Sequence, residues 1–333
     1  MSSMDLKTPL IPQEIWLQEQ YSSPRYFARM LNAWERMVEV AELAYDDYMR
    51  HIPSNFRLRE PGTQVDIVWG NRILPNFIRT LMQMREIHHR ISKGDLGVWA
   101  PAAIQSDIRG ASDYWHGWME EPALVARLGF NPLQEYYRQQ GIAQKYAANI
   151  GPTFRYGWKR GDLLGDLKEN GRGWDISLPQ EWPAYQLNPQ YQCATGEEVP
   201  RPGIYLPDIA YSCAQLIVPL PDAPEASMAN VGRTPDGIRY NHLEPAVWTL
   251  VERVSDTGGG LVDTRLITAA QEHASDEETW LSALAGEACP REGIWLCPRI
   301  NMREVRLRLG EPMPGAGEPG LSGSLIWYWR SGL

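Results

Sequence analysis

Residues 289–298 read CPREGIWLCP, two cysteines with seven residues between them and a proline after each. Thiolates can hold zinc, close a disulfide or attack a substrate, and each use demands its own spacing. Zinc sites made of cysteines bring short chelating pairs of the CxxC kind. Cys289 and Cys297 are too widely spaced for one, and Cys193 and Cys213 have nineteen residues between them. A disulfide across a hairpin is geometrically open, but a reducing compartment opposes it. The four cysteines are therefore expected as buried thiols that act as small hydrophobes. On that reading Gly293 permits a turn or bulge, and a strand over residues 294–296 buries Trp295 against Trp327, Tyr328 and Trp329.

Other chemistry is thinly supplied. His88 and His89 are neighbours on an expected helix and point about 100° apart, so they cannot share a metal as an i, i+4 pair does. His51, His116, His242 and His273 stand alone. GAGEPG (Gly315, Gly317, Gly320) matches the dinucleotide fingerprint formally, but Pro319 lies within it and no helix follows to receive a pyrophosphate. There is no GxxxxGK[ST] loop and no GxSxG elbow. DGIRYNHLEP gathers Asp236, Arg239, Asn241, His242 and Glu244. Its spacing demands no triad, and a turn followed by a strand explains it. No catalytic, cofactor-binding or metal-ligating residue is assigned, and no enzyme activity is expected.

The elements that would position these residues divide the chain in a simple way. In SSPRYFARMLNAWERMVEVAELAYDDYMR, Ser23 can cap and Pro24 fits the first helical position. Phe27, Met30, Leu31, Trp34, Met37, Val38, Ala41, Ala44, Tyr45 and Tyr48 then recur at three- and four-residue steps, the stripe of a long amphipathic helix. A second helix is expected in NRILPNFIRTLMQMREIHHRIS, with Pro75 in its first turn. Its buried side would carry Leu74, Phe77, Ile78, Leu81, Met82, Met84 and Ile87. Asn131 should cap a last helix that Gly151 ends. Residues 1–150 thus read as a helical domain. Residues 151–208, rich in Gly, Pro, Tyr and Trp, read as an irregular linker packed on both neighbours. Residues 209–333 read as a small, mainly β domain with strands in YSCAQLIVPL, AVWTLVERV, GIWLCP, EVRLRL and SLIWYW. TPDGIRY carries a hairpin signal, and SDTGGGLVD is expected as a glycine turn. One short helix capped by Ser275 is expected before Gly286. The fold class is α+β: an N-terminal helical bundle, a long Pro/Gly/aromatic-rich connection and a C-terminal mainly β domain. No internal repeat is expected.

Composition narrows the partners. With 32 basic and 41 acidic side chains among 333 residues, the formal charge is −9. That disfavours nucleic acid and anionic lipid and suits a basic partner. From 244 to 292 there are ten acidic residues and three basic ones. The N-terminus MSSMDLKTPLIPQEIW lacks the pattern of a secretory signal. No apolar run approaches the ~18 residues a membrane span needs. A cytoplasmic location is expected.

The C-terminal third resembles a known group. ACPREGIWLCPRINMREVRLRLGEPMPG followed by SLIWYW is similar to the pattern Cys-Pro-x-x-Gly-x-Trp, Gly-Glu-x-Met-Pro, Ile-Trp-x-Trp. That pattern belongs to bacterial polymorphic-toxin immunity proteins, the immunity families numbered seventy-one and seventy-two, which accompany type VI secretion effectors. Cys289, Pro290, Gly293, Trp295, Gly310, Glu311, Met313, Pro314, Ile326, Trp327 and Trp329 carry the match, and RYFARMLNAWERM is similar less specifically. The spacer GAGEPGLSG is longer and more glycine-rich than the pattern. The resemblance implies a non-enzymatic inhibitor of one toxin domain. With no export signal, the toxin is expected to act in the cytosol, and an acidic chain suits a nuclease such as an HNH-type DNase, occluded at its active site. A secretion adaptor or chaperone for the same effector, or an enzyme of unknown type, are the alternatives. For toxin contact, acidic clusters near an aromatic are the candidates: Asp276, Glu277, Glu278 and Trp280 first, then Asp46, Asp47, Glu120 and Glu121.

Overall fold

The computed structural model describes residues 7–98, 102–165, 176–220, 222–233, 239–262, 282–297, 303–315 and 326–331. They form an α+β structure, with helices up to about residue 150 and antiparallel strands beyond. The chain divides into two compact units, residues 1–263 and 264–333.

In the first unit, α1 (Pro12–Tyr21) leads into α2 (Pro24–Arg50). The Ser23 hydroxyl accepts from the Tyr26 amide at 3.1 Å, which satisfies one of the open donors of the first turn. The expected stripe of α2 is buried, apart from the half-buried Tyr45. At its centre Trp34 is fully buried and donates its indole N–H to the Phe77 carbonyl at 3.2 Å on α3 (Leu74–Ser92). Pro75 stands in the first turn of α3, as its lack of an N–H requires. A π-helical segment, Asp66–Ile73, runs directly into that turn. Met82, expected on the buried side of α3, is instead 64 % exposed; it falls one position past Leu81 and so outside the stripe. The short helices α4 (Ala102–Gly110) and α5 (Pro122–Leu128) follow.

Helix α6 (Pro132–Phe154) opens on Asn131, whose side chain accepts from the Gln134 amide at 3.1 Å. It lies against α2, where the rings of Tyr26 and Tyr146 meet at 4.9 Å and the Asn149 amide donates to the Tyr26 hydroxyl at 2.6 Å. Gly151 does not end it. The helix continues through Pro152 and stops at Phe154.

The stretch expected as an irregular linker carries two strands, β1 (Glu181–Ala194) and β2 (Gly203–Pro207). With β3 (Gln215–Ile217) and β6 (Val247–Leu261) they make an antiparallel sheet of order β1-β6-β2-β3. Helix α1 seats directly on it. Trp16 meets Trp182 edge-on at 5.4 Å, and the Tyr185 hydroxyl donates to Glu19 at 2.9 Å. The buried Gln18 side chain donates to the Ala214 carbonyl at 2.8 Å and accepts from the Leu216 amide at 2.9 Å. One amide thus serves two main-chain groups, one just before and one on β3, the edge strand. These contacts make helices and first sheet one unit, so the expected limits at 150 and 208 fall inside it. SDTGGGLVD is not a turn joining strands: residues 255–261 continue β6, which follows β1 through several register shifts to the pair Leu261–Glu181. The hairpin expected at TPDGIRY is flanked by β4 (Ala229–Arg233) and β5 (Arg239–Glu244), which pair antiparallel; the turn, including Asp236, lies outside the described residues.

The second unit contains β7 (Ser282–Leu284), β8 (Gly293–Cys297), β9 (Arg303–Leu307) and β10 (Ile326–Ser331) in the order β7-β10-β8-β9. Residues 282–284, expected at the end of a short helix, are strand, and Gly286 turns the chain with φ 88°. Ser275 lies outside the described residues.

Candidate protein-binding surface

Two of the expected acidic pairs meet at one end of the helical region. Asp47, near the end of α2, receives Arg127 of α5 at 2.6 Å. Glu121, just before α5, accepts from the Tyr48 hydroxyl at 3.3 Å and lies 3.7 Å from Arg59. These two carboxylates therefore hold α2 and α5 together, and much of their charge is answered within the fold. Their neighbours Asp46 and Glu120 are exposed and make no ion pair among the described residues. Asp276, Glu277, Glu278 and Trp280 lie outside the described residues.

A feature passed over in the sequence adjoins Glu120. In SDYWHGWMEE, Tyr114 and Trp115 are 39 % and 47 % exposed, and Tyr137 of α6 is 41 % exposed. Behind them stands a stack of fully buried rings, with Trp69 meeting Trp118 at 5.3 Å and Tyr136 at 6.0 Å, and Tyr114 reaches this stack at 6.5 Å from Trp69. Trp118 in turn meets Tyr48 at 5.5 Å, so one aromatic chain runs from the exposed rings to the acidic pairs. The signal was an acid followed by consecutive aromatics, which periodicity alone does not separate from core.

Groups with possible chemistry are committed elsewhere. All four cysteines are free and buried. Burial pushes the thiols of Cys193 and Cys213 upward, away from the reactive thiolate. His116 is 4 % exposed, and burial lowers its pKa, so the ring is neutral at pH 7. His242 is exposed, 3.3 Å from a half-buried Glu244. Glu14 is buried, its carboxyl raised chiefly by desolvation while it accepts from the Gly161 amide at 3.1 Å. A cleft of about 580 Å³ lies between α4 and α6, lined by Gln105, Arg109, Gln144 and Arg155 among others; His242 is not part of it. Among the described residues no group of His, Cys, Asp or Glu is arranged to hold a metal, and no helix is long and apolar enough to cross a membrane.

CPREGIWLCP proves to be one of two copies, contrary to the expectation of no repeat. GEEVPRPGIYL at 196–206 and GEACPREGIWL at 286–296 stand ninety positions apart and share seven of eleven residues. Several of the bonds made by the two strings and their surroundings correspond. The Gly196 amide donates to the Ala226 carbonyl at 2.9 Å, and Gly286 to Met313 at 2.8 Å. Ala226 returns a bond to Glu197 and Met313 to Glu287, both at 2.8 Å. The Tyr205 hydroxyl reaches the Arg201 carbonyl at 2.8 Å, and the Trp295 indole reaches the Arg291 carbonyl at 3.0 Å. Trp248 donates to the Ser227 carbonyl and Trp327 to the Pro314 carbonyl, each at 2.9 Å. Strand order matches as well, β1-β6-β2-β3 against β7-β10-β8-β9. So does register: Tyr205 faces Leu250 and Ile204 faces Leu216, as Trp295 faces Trp329 and Ile294 faces Arg306. Each copy closes on its own core, around Tyr205, Ile217 and Trp248 in one and Trp295, Leu307 and Trp327 in the other. Comparison with protein-family models, with curated proteins and with solved structures finds no match.

Proposed function

We propose that this chain is an immunity protein, which binds and neutralises a cognate type VI secretion effector toxin acting in the cytosol. The toxin is a nuclease of the HNH DNase type, and neutralisation is occlusion of its active site. The observation that carries this reading is the pattern Cys-Pro-x-x-Gly-x-Trp, Gly-Glu-x-Met-Pro, Ile-Trp-x-Trp. Its residues resemble those of immunity proteins, and they lie together on adjacent strands and their turns: Cys289, Trp295, Met313 and Trp327 share one buried core. Charge supports the choice of toxin. A nuclease is basic around its phosphate-binding channel, and a chain of formal charge −9 complements it. Binding of this kind needs a rigid surface rather than a reaction centre.

The test is co-expression with the toxin domain encoded by the adjacent gene, scoring growth, co-purification and DNA cleavage by the purified complex. Growth is expected to be restored, with a stable complex that no longer cleaves DNA. Survival without a stable complex sinks occlusion. A stable complex that still cleaves DNA makes the chain an adaptor or chaperone instead.

A further inference from the structure

We propose that the face made by Tyr114, Trp115 and Tyr137 is the anchor for the basic partner; this rests on the binding role proposed above. Among the described residues these three are the exposed large aromatic side chains; the rings of Tyr114 and Tyr137 meet the buried aromatic cluster, and the Trp115 main chain is bonded to it. Exposed aliphatic residues such as Leu58, Met82 and Leu309 are spread along the chain singly, which is ordinary for a protein surface. Tryptophan and tyrosine grouped at the surface are different, because they dominate the energetics of protein interfaces.

The platform is held before any partner arrives. The Trp69 indole donates to the Trp115 carbonyl at 3.0 Å, and the Tyr136 hydroxyl to the Ala111 carbonyl at 2.7 Å. The Tyr137 hydroxyl shares a hydrogen bond with Nδ1 of His116 at 3.2 Å. Trp69 and Tyr136 are fully buried, so the loop from 111 to 117 is fastened from the core. The Trp115 indole lies over Gly117, where an added methyl carbon would stand 2.8 Å from Nε1. A surface fixed in this way loses little conformational entropy on binding.

Charge identifies the occupant. Between 110 and 126 the chain has Asp113, Glu120 and Glu121 and no lysine or arginine. Asp113 and Glu120 are exposed and make no ion pair among the described residues. Lysine or arginine side chains of a partner can sit over the ring faces and between the two carboxylates. The occupant is therefore a protein surface rich in those residues, and on the reading above it is the substrate channel of the toxin.

The experiment measures the affinity of the full chain for the toxin domain encoded beside it, using wild type, Trp115→Ala, Tyr137→Ala and, as a control on α3, Met82→Ala. Trp115→Ala is expected to weaken binding at least tenfold with an unchanged thermal melt, and Tyr137→Ala less, with a lower melt because it removes the partner of the buried His116 ring. Met82→Ala should bind as wild type does. Wild-type binding that survives Trp115→Ala and Tyr137→Ala intact overturns this face while leaving the binding role in place. A wild-type chain that does not bind the toxin domain removes both. If Trp115→Ala instead converts a dimer of this chain to monomer and leaves toxin binding unchanged, the face belongs to self-association and the assignment is wrong.

Discussion

The two β modules share a frame and differ in what their outer faces meet. In the first, Ala214, just before the edge strand β3, and Leu216 on it are 2 % and 4 % exposed, with Gln18 of α1 bonded to their main chain. The corresponding residues of the second, Glu304 and Arg306 on β9, are charged and exposed. Ile204 is buried, and its counterpart Ile294 only half-buried. Inside the modules the correspondence is close: a ring at 205 and 295, an aliphatic at 217 and 307, a tryptophan at 248 and 327. Residues that specify the fold have thus been kept, and residues that meet the surroundings have been changed. The strings on which the proposed immunity role rests belong to the frame, and so they leave the binding face to be found elsewhere.

Cutting the shared frame should have the largest effect and should be local. Trp327→Ala removes a fully buried indole and its bond to Pro314, and is expected to cost about 3–5 kcal/mol. Hydrogen exchange should then show β8 and β10 losing protection while β1 and β6 keep theirs. Trp248→Ala should give the reverse. Loss of protection in both sheets from either variant would mean that the copies do not fold as separate cores.

A smaller effect separates the outer faces. Gln18→Leu leaves the Ala214 carbonyl and the Leu216 amide without their partner in a buried place, at about 3 kcal/mol. Arg306→Ala, at the matching point of the second module, should stay within about 0.5 kcal/mol. Denaturant unfolding followed by circular dichroism distinguishes them, and equal costs would break the contrast drawn above. The smallest expected difference lies in the turns. Gly196 and Gly286 have φ of 85° and 88°, so alanine at either should cost about 1–2 kcal/mol, and the same in both copies. Unequal losses would show that one turn has relaxed away from the other.

Much of the helical half could be read from the residues. Ser23, Pro24 and Asn131 mark helix starts by local chemistry, and the stripe of α2 by period. Helix ends were less legible: Gly151 and Pro152 look like a stop, yet tertiary packing carries α6 past them. The linker was misjudged because β1 contains Pro183 and Pro189, which demote a strand by local rules; β1 is an edge strand, where a missing N–H is tolerated. The repeat was present in plain letters, but valine for cysteine and tyrosine for tryptophan hid it from a search for cysteine motifs. The exposed rings at 114, 115 and 137 could not be recognised from type alone. Fourteen tryptophans and fifteen tyrosines offer many places for an aromatic, and only the fold says which of them face outward.

A chain that writes the same sheet twice runs the hazard of misassembly, each copy offering strands that fit the other in direction and register. Here the two cores are keyed to different volumes. Tyr205 goes with Ala226 in the first, and Trp295 with Met313 in the second. A β8 strand strayed into the first sheet would bring an indole where a phenol is accommodated, and a β2 strand in the second would leave a void. Side-chain size thus makes each strand fit its own sheet better than the other's.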